Sequence, residues 1–358
     1  MTSLRIPGAV DPHVHLRDLE WSHKATVERE TAAALAGGYW AVLDMPNTPP
    51  PATTRARLDE RSAAFAARAR CDFGLYLGAD QGGNQGQYGA AARAAVGLKM
   101  YCDETTGDLF IRKSDERRAH VSAWKAASDK PIAVHAEGAT LAAVLALAVE
   151  LRSRVHFCHV SAADELELLR QAKRDGAAIS VGVTPHHLYL TQDDAARLGP
   201  YGRVKPPLKS ASDVAALWAG IADGTVDVIE SDHAPHTRAE KESPAPPYGL
   251  PGLETTIPLM VLALREGRVS EERLVELLAT NAQRLFRLQP PNGTYTLIDV
   301  DASYVITDDT LLTSPGWSPY SGMRVWGRVR EVRIRGQLAF DGEDVLCSPG
   351  CGTDLAWS

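Results

Sequence analysis

No run of apolar residues in this 358-residue chain is long enough to cross a bilayer. Nothing near its N-terminus has the order of charged, apolar and small residues that marks a secretory signal. Cysteine is scarce and unpatterned. Cys71, Cys102, Cys158, Cys347 and Cys351 show neither CxxC nor zinc-ribbon spacing, and their odd number fits a reducing compartment, so a cytoplasmic protein is expected. Positive charge is not in excess either. The 38 Lys and Arg against 45 Asp and Glu leave a formal charge of −7, which argues against a nucleic-acid partner. No internal repeat recurs at solenoid or propeller periods. What remains, 44% hydrophobic and 23% charged, is the composition of a soluble globular protein. An anionic ligand would have to be drawn in by local cations, because the overall field opposes it.

Along the chain, short apolar runs alternate with helical stretches. The runs cover 6–15, 39–45, 73–78, 96–101, 132–135, 155–160, 178–183 and 226–229. Between them lie segments rich in Ala, Leu and Glu at helical spacing, such as 24–36, 164–173 and 211–222. Eight strands with helical crossovers predict a parallel sheet, and eight strands close into a barrel that reaches ~250 residues or more as one unit. The expected fold is therefore α/β, a (β/α)8 barrel. After the last barrel helices, at 254–264 and 271–278, the pattern changes. Residues 299–306, 328–335 and 337–340 alternate as half-exposed strands do, with turns at Arg335-Gly336 and Asp341-Gly342. They predict a small β-rich satellite, joined by 4–6. The expected division is 8–289 for the barrel and 1–7 plus 290–358 for the satellite.

The polar residues gather where barrel strands end, and in this fold catalysis sits at the C-terminal ends of strands. Strand one ends in Asp11-Pro-His13-Val-His15-Leu-Arg17, and strand alternation would put residues 13, 15 and 17 on one face. Lys99 lies in Gly97-Leu-Lys99-Met-Tyr101, His135 and Glu137 end the fifth strand, His159 the sixth, and Asp232 and His236 the eighth. A single buried histidine is more often a hydrogen-bonded core residue than a ligand. Four imidazoles, an amine and a carboxylate at five strand ends are harder to explain that way. Imidazole and carboxylate suit zinc, whose catalytic sites keep one position open. An ammonium at Lys99 would be repelled by two dications, an objection that disappears if its neutral amine captures carbon dioxide as a carbamate.

These residues are similar to those of the amidohydrolase superfamily, and within it the dihydroorotases. His13-Val-His15-Leu-Arg17 followed by Asp44-Met-Pro-Asn47-Thr carries the likeness most specifically. His156-Phe-Cys158-His159, Thr184-Pro-His186-His187, Ser231-Asp232-His233-Ala-Pro-His236 and Pro251-Gly-Leu-Glu254-Thr extend it almost to the C-terminus. The pattern resembles most the dihydroorotase domain of the animal multifunctional pyrimidine-synthesis protein. The resemblance implies the amidohydrolase type of barrel and two zinc ions bridged by carboxylated Lys99 and a hydroxide. His13, His15 and Asp232 would hold one ion, and His135 and His159 the other. Arg17, Asn47 and His236 would grip the substrate carboxylate, a role suited to a planar guanidinium, an amide and an imidazole. Asp232 would be the catalytic base, and Thr105 and Thr106, in a polar lid over 101–111, would reach the substrate.

The implied reaction opens dihydroorotate, or closes N-carbamoyl-aspartate, in pyrimidine biosynthesis. Neither nucleic acid nor membrane enters it, while a homodimer and association with aspartate transcarbamoylase stay open. A hydantoinase or allantoinase is the enzymatic rival, disfavoured by Arg17 and Asn47. An inactive scaffold for the transcarbamoylase is the rival of another class, disfavoured because no metal ligand is missing. There are departures from the pattern. Residues 18–22 replace a usual Pro-Gly-Gly type of loop, and Lys205-Pro-Pro-Leu-Lys209 replaces an Asn- or Arg-containing segment. Gly182 stands where many relatives have the Glu that helps hold an additional metal in the animal domain, which makes an extra zinc doubtful. Alternation is expected to turn Cys158 away from His159, to pack between barrel and helix.

Overall fold

The protein is described by a computed structural model over residues 3–357. The chain opens with β1 (Ser3–Ile6), which stands apart from the strands that follow. β2 (Ala9–Val14), β3 (Tyr39–Asp44), β4 (Asp72–Gly78), β5 (Gly97–Tyr101), β6 (Ile132–His135), β7 (Val155–Phe157), β8 (Ile179–Val183) and β9 (Val228–Ile229) form one parallel sheet in sequence order. A parallel bridge between Val14 and His233 brings its two edges together, with His15 N donating to His233 O at 2.7 Å. Every residue of β2 to β6 is buried, as expected of parallel strands covered by helices on one side and barrel interior on the other. The (β/α)8 barrel read from the sequence is the fold observed.

The differences lie at element ends, where side-chain caps and turns outweigh the apolar pattern. The run 6–15 is divided by a turn at Pro7 and Gly8, so Ile6 joins a second sheet while Ala9 begins the barrel. The helix expected from residue 24 begins at Val27 and ends at Ala36. Thr26 is its N-cap, in extended backbone, with its hydroxyl accepting from Arg29 N. Lys24 thus remains in the preceding loop, buried. Where the cap was legible the bounds agree. The helix Ala211–Ala222 follows Ser210, whose hydroxyl and Asp213 form a capping box.

The second sheet is antiparallel, in the order β1, β10 (Tyr295–Val305), β11 (Arg324–Ile334), β12 (Gln337–Phe340). Leu4 pairs with Ile298 and Ile6 with Thr296, so residues 4–6 do complete the satellite. β10 starts at Tyr295, ahead of the expected Asp299, because Thr296 is buried and its hydroxyl donates to Gly38 O at 2.6 Å. One apolar core runs through both sheets, joining Ile6, Ile298 and Val329 to Trp40, Leu253 and Ile257. The division at 8–289 and 1–7 plus 290–358 is proposed on the change of sheet; residues 1, 2 and 358 lie outside the described residues.

The sheet closely meets a barrel helix at Gly327 of β11. Its φ is +92°, and a Cβ there would lie 2.6 Å from Val261 Cβ, on the helix Leu253–Arg265. Both backbone and space therefore require glycine. Gly327→Ala is expected to destabilise the protein by about 2–4 kcal/mol, the sum of left-handed strain and overpacking. Urea unfolding measures it, and a loss under about 0.5 kcal/mol would mean that the two sheets are not rigidly packed.

Candidate metal centre and active site

The C-terminal ends of the barrel strands carry a compact set of buried donors. His13 Nε2 and His15 Nε2 lie 3.2 and 3.3 Å from the same oxygen, Asp232 Oδ1. Beside this trio, His135 Nδ1 and His159 Nε2 face each other at 3.1 Å. The His13 and His159 rings are 5.1 Å apart between centroids, so the two groups adjoin. Lys99 is fully buried next to them, its Nζ 3.4 Å from Cys158 Sγ and 5.0 Å from the Tyr101 ring centroid. Among the described residues no carboxylate lies within ion-pairing distance of that amine.

The backbone is strained where these side chains are aimed. Arg17, Asp18, Leu19, His159 and Asp232 have φ values of 62°, 67°, 49°, 38° and 46°, five of the eight positive-φ residues other than glycine among the described residues. Left-handed backbone costs an L-residue about 1–2 kcal/mol, so such a cluster marks a place where the surroundings dictate the conformation. It also ends strand alternation. Arg17 does share a cavity with His13 and His15, but through a left-handed turn after β2 has stopped at Val14.

The same break corrects the expectation for Cys158. With His159 left-handed, Cys158 points into the barrel, and its Sγ lies with donor atoms of His13 and Glu230 within 4.8 Å of one another. Burial raises its thiol, but Lys99 and His13 bring it down to about 6. Glu230 is the participant that sequence reasoning missed. Its buried carboxylate accepts from His159 N, lies 3.1 Å from His156 Nε2 and 3.6 Å from His13 Nδ1. A Cβ on Gly182 would fall 2.6 Å from Glu230 Cδ, so this carboxylate fills the space that a side chain at 182 would need. The legible signal was an acid immediately after the run 226–229, two residues beyond the Val228 that pairs with Gly182 on the neighbouring strand.

Electrostatics divides the histidines. Burial and Lys99 oppose protonation of His13, yet Asp232, Cys158 and Glu230 raise it to about 9. Burial, with Arg17 and His13, lowers His15 to about 3 against the pull of Asp232. Burial and His135 also hold His159 well below the imidazole range. Burial pushes Asp232 up, but His13, His15 and His159 keep it well below the usual carboxylate range. Asn47 Oδ1 is 2.8 Å from His15 Nδ1, which places the His15 proton on Nδ1 and leaves Nε2 as the ligating lone pair. Neutral His15 and His159, an ionised Asp232 and converging buried atoms fit a divalent metal of the zinc type, and the carboxylates that favour a proton on His13 would equally favour a metal ion there. His13 Nδ1, His135 Nε2 and His159 Nδ1 have no hydrogen-bond partner among the described residues, although Glu230 and Glu137 oxygens stand 3.6 and 3.5 Å from the first two.

The residues expected to meet substrate are placed unequally. Arg17, Asn47, Thr105 and Thr106 line the cavity, together with Tyr101 and Lys205. Arg17 Nη1 and Tyr101 OH are buried there without a partner among the described residues. The Asn47 amide, however, donates to Thr106 O at 2.8 Å, so the 101–111 stretch is tied down over the mouth. His236 is fully buried behind Arg17, at 3.1 Å from its Nη2, and does not line the cavity. Lys205 Nζ reaches to 3.8 Å from Glu137 Oε1. His187 is held by Thr184 and Pro206, whereas neither nitrogen of His186 has a partner among the described residues.

Comparison with known proteins bears on this geometry. The family model described as Dihydro-orotase-like matches residues 2–95. A dihydroorotase of Pyrococcus furiosus is 34% identical over 96% of this chain and 83% of its own length. The chain belongs to the dihydroorotase family. Multifunctional protein CAD of Squalus acanthias is 39% identical over 99% of the chain, which spans 16% of that protein's length. Among solved structures, an L-hydantoinase (dihydropyrimidinase) of Arthrobacter aurescens superposes with a TM-score of 0.94 at 28% identity, covering 98% of this chain and 88% of the other.

The strand end that carries Asp232 is braced from outside the barrel. His233 accepts Gly252 N at Nδ1 (3.1 Å) and therefore donates from Nε2 to Glu30, 2.9 Å away. Glu30 also receives the Thr313 hydroxyl at 2.5 Å and Ser314 N at 2.8 Å. Burial raises its carboxyl, but these donors, His233 first, lower it below the ordinary 4.5. A depressed carboxylate contributes stability that is present above its unfolded pKa and lost as pH falls through the folded value. Glu30→Gln should therefore cost about 2 kcal/mol at neutral pH, and the deficit should shrink as pH drops below about 4.5. Denaturant unfolding of both proteins across that range checks it. A deficit that does not change with pH would show that the charge is not what braces the loop.

Proposed function

We propose that the chain is a zinc-dependent dihydroorotase, hydrolysing the cyclic amide of dihydroorotate and, in reverse, cyclising N-carbamoyl-aspartate for pyrimidine synthesis. The observation that carries this reading is the unpaired Arg17 Nη1, buried in the cavity that also holds His13, His15, His135, His159 and Asp232. A carboxylate-seeking fork beside a hydrolytic donor set suits a ring amide that bears a carboxylate. A hydantoin ring without a carboxylate would leave the guanidinium unpaired. The hydantoinase reading retains one observation in its favour, the close superposition on the L-hydantoinase.

In this reading His13, His15 and Asp232 would hold one zinc and His135 and His159 the other, with Lys99 between them as a carbamate. The bound ions would supply Lewis-acid polarisation of the amide carbonyl and acidify the attacking water. Asp232 accepts a proton from that water and delivers it to the ring nitrogen as the C–N bond breaks. Ring closure requires Asp232 to begin protonated. Arg17 orients the substrate through its carboxylate, and Asn47 keeps His15 in its ligating tautomer. The Lys99 amine, buried without a carboxylate partner, is costly as an ammonium. Neutral amine and carbon dioxide give a carbamate and a proton, which removes that cost. Association with aspartate transcarbamoylase and a cytoplasmic setting are part of the proposal, supported by the likeness to multifunctional relatives and by five free cysteines.

Turnover of dihydroorotate, measured beside hydantoin and allantoin with metal content determined, tests the assignment. Preference for either alternative would replace it. Arg17→Met should weaken dihydroorotate binding by about 2–5 kcal/mol with metal content unchanged, and equal affinity would revive the hydantoinase reading. Lys99→Ala should lose the metal pair and nearly all activity. Parent protein stripped of metal at acid pH should need both zinc and bicarbonate to recover. Full recovery with zinc in carbonate-free buffer would defeat the bridge.

A further inference from the structure

His236 is surrounded by more donors than a histidine can accept. Its Nδ1 lies 3.2 Å from Lys24 Nζ, and its Nε2 lies 2.9 Å from Tyr248 O and 3.1 Å from Arg17 Nη2. Only two neutral tautomers are available. A proton on Nδ1 would face the Lys24 ammonium and set the Nε2 lone pair against the Tyr248 carbonyl, satisfying one contact of three. A proton on Nε2 lets Nδ1 accept from Lys24 and Nε2–H donate to Tyr248 O, satisfying two.

Lys24 is held for this purpose. It is buried in the loop before the helix Val27–Ala36, paired with Glu240 Oε1 at 2.7 Å. Its amine stands 4.9 Å from the Trp21 ring, and the Arg17 guanidinium stands 5.3 Å from the same ring. The loop that departs from the family pattern thus places an indole against both cations. Glu240 approaches Nδ1 no nearer than 3.9 Å, and Lys241 is the third cation near the ring.

We infer that Lys24 is a positioning residue that locks His236 behind Arg17 as the neutral Nε2–H tautomer, so that the ring accepts nothing from Arg17 Nη2 and that donor is left for the substrate carboxylate. Tyr248 O accepts from the His236 Nε2–H, which leaves the ring no lone pair on the side of Arg17. Neutrality matters for charge matching. Arg17, Lys24 and Lys241 already set three cations about the ring, against the one carboxylate of Glu240. A protonated ring would add another cation among Arg17, Lys24 and Lys241. Burial, followed by these three, does hold the imidazole far below its ordinary range.

The inference rests on the dihydroorotase reading for its substrate but not for its tautomer. Zinc-loaded full-length protein labelled with 15N-histidine reports the tautomer without substrate, the His236 signals being identified by their loss in His236→Gln. The parent should show one neutral Nε2–H form down to about pH 5. In Lys24→Met the signals should move toward the other tautomer or the imidazolium. KM for dihydroorotate should rise about tenfold while kcat stays within about twofold. An Nε2–H signature unchanged in Lys24→Met, or a parent His236 that titrates near 6.5, would overturn the inference. The second result remains decisive if the variant does not fold. Failure of the parent to turn over dihydroorotate would instead defeat the functional reading and leave the tautomer result standing.

Discussion

The molecule is organised around ionisable groups buried at one end of a closed barrel, where none can be satisfied alone. His13, Glu230 and Asp232 are withdrawn from bulk water, and each charge is tolerable only because of its neighbours, while Lys99 beside them has no carboxylate partner among the described residues. Water cannot repair a missing partner there, so a buried charge left unpaired costs several kcal/mol. The donor set must therefore be complete and convergent, and this makes the barrel mouth a candidate metal centre. The left-handed residues at 17–19, 159 and 232 are the backbone counterpart. The chain leaves its regular paths to bring side chains from separate strands to one point.

Support for that arrangement reaches well beyond the barrel. Asp232 is followed by His233, which is tied through Glu30 to Thr313 and Ser314 in the segment between β10 and β11. Thr296 anchors β10 to Gly38 at the base of β3, and Gly327 lets β11 approach Val261. Among the described residues the satellite sheet contributes none to the cavity, yet it fixes the loop that braces an Asp232 neighbour. A similar hierarchy holds on the substrate side. Arg17 faces the cavity, His236 stands behind it, and Lys24 with Glu240 stands behind His236. Precision at the centre is supplied by hydrogen-bonded residues that never reach it.

The sequence by itself determined the barrel, the satellite and the main donor set. Eight buried apolar runs separated by helical stretches have few alternatives, and parallel strands buried on both faces are legible because almost every residue in them is apolar. His13, His15, His135, His159 and Asp232 were legible for a related reason, since a polar residue ending such a run needs a chemical purpose. Tertiary structure alone decided what depended on adjacency across strands. Glu230 could be read as an acid after β9, but only barrel closure shows its carboxylate occupying the room left by Gly182. Cys158 was misplaced because alternation presumes extended backbone, and His159 is left-handed. Lys24 read as the start of a helix until the Thr26 cap left it in a loop with its amine against His236. Strand and helix periods are local and repeat along the chain. Caps, left-handed turns and buried polar contacts join residues far apart in sequence, and folding alone brings those partners within reach.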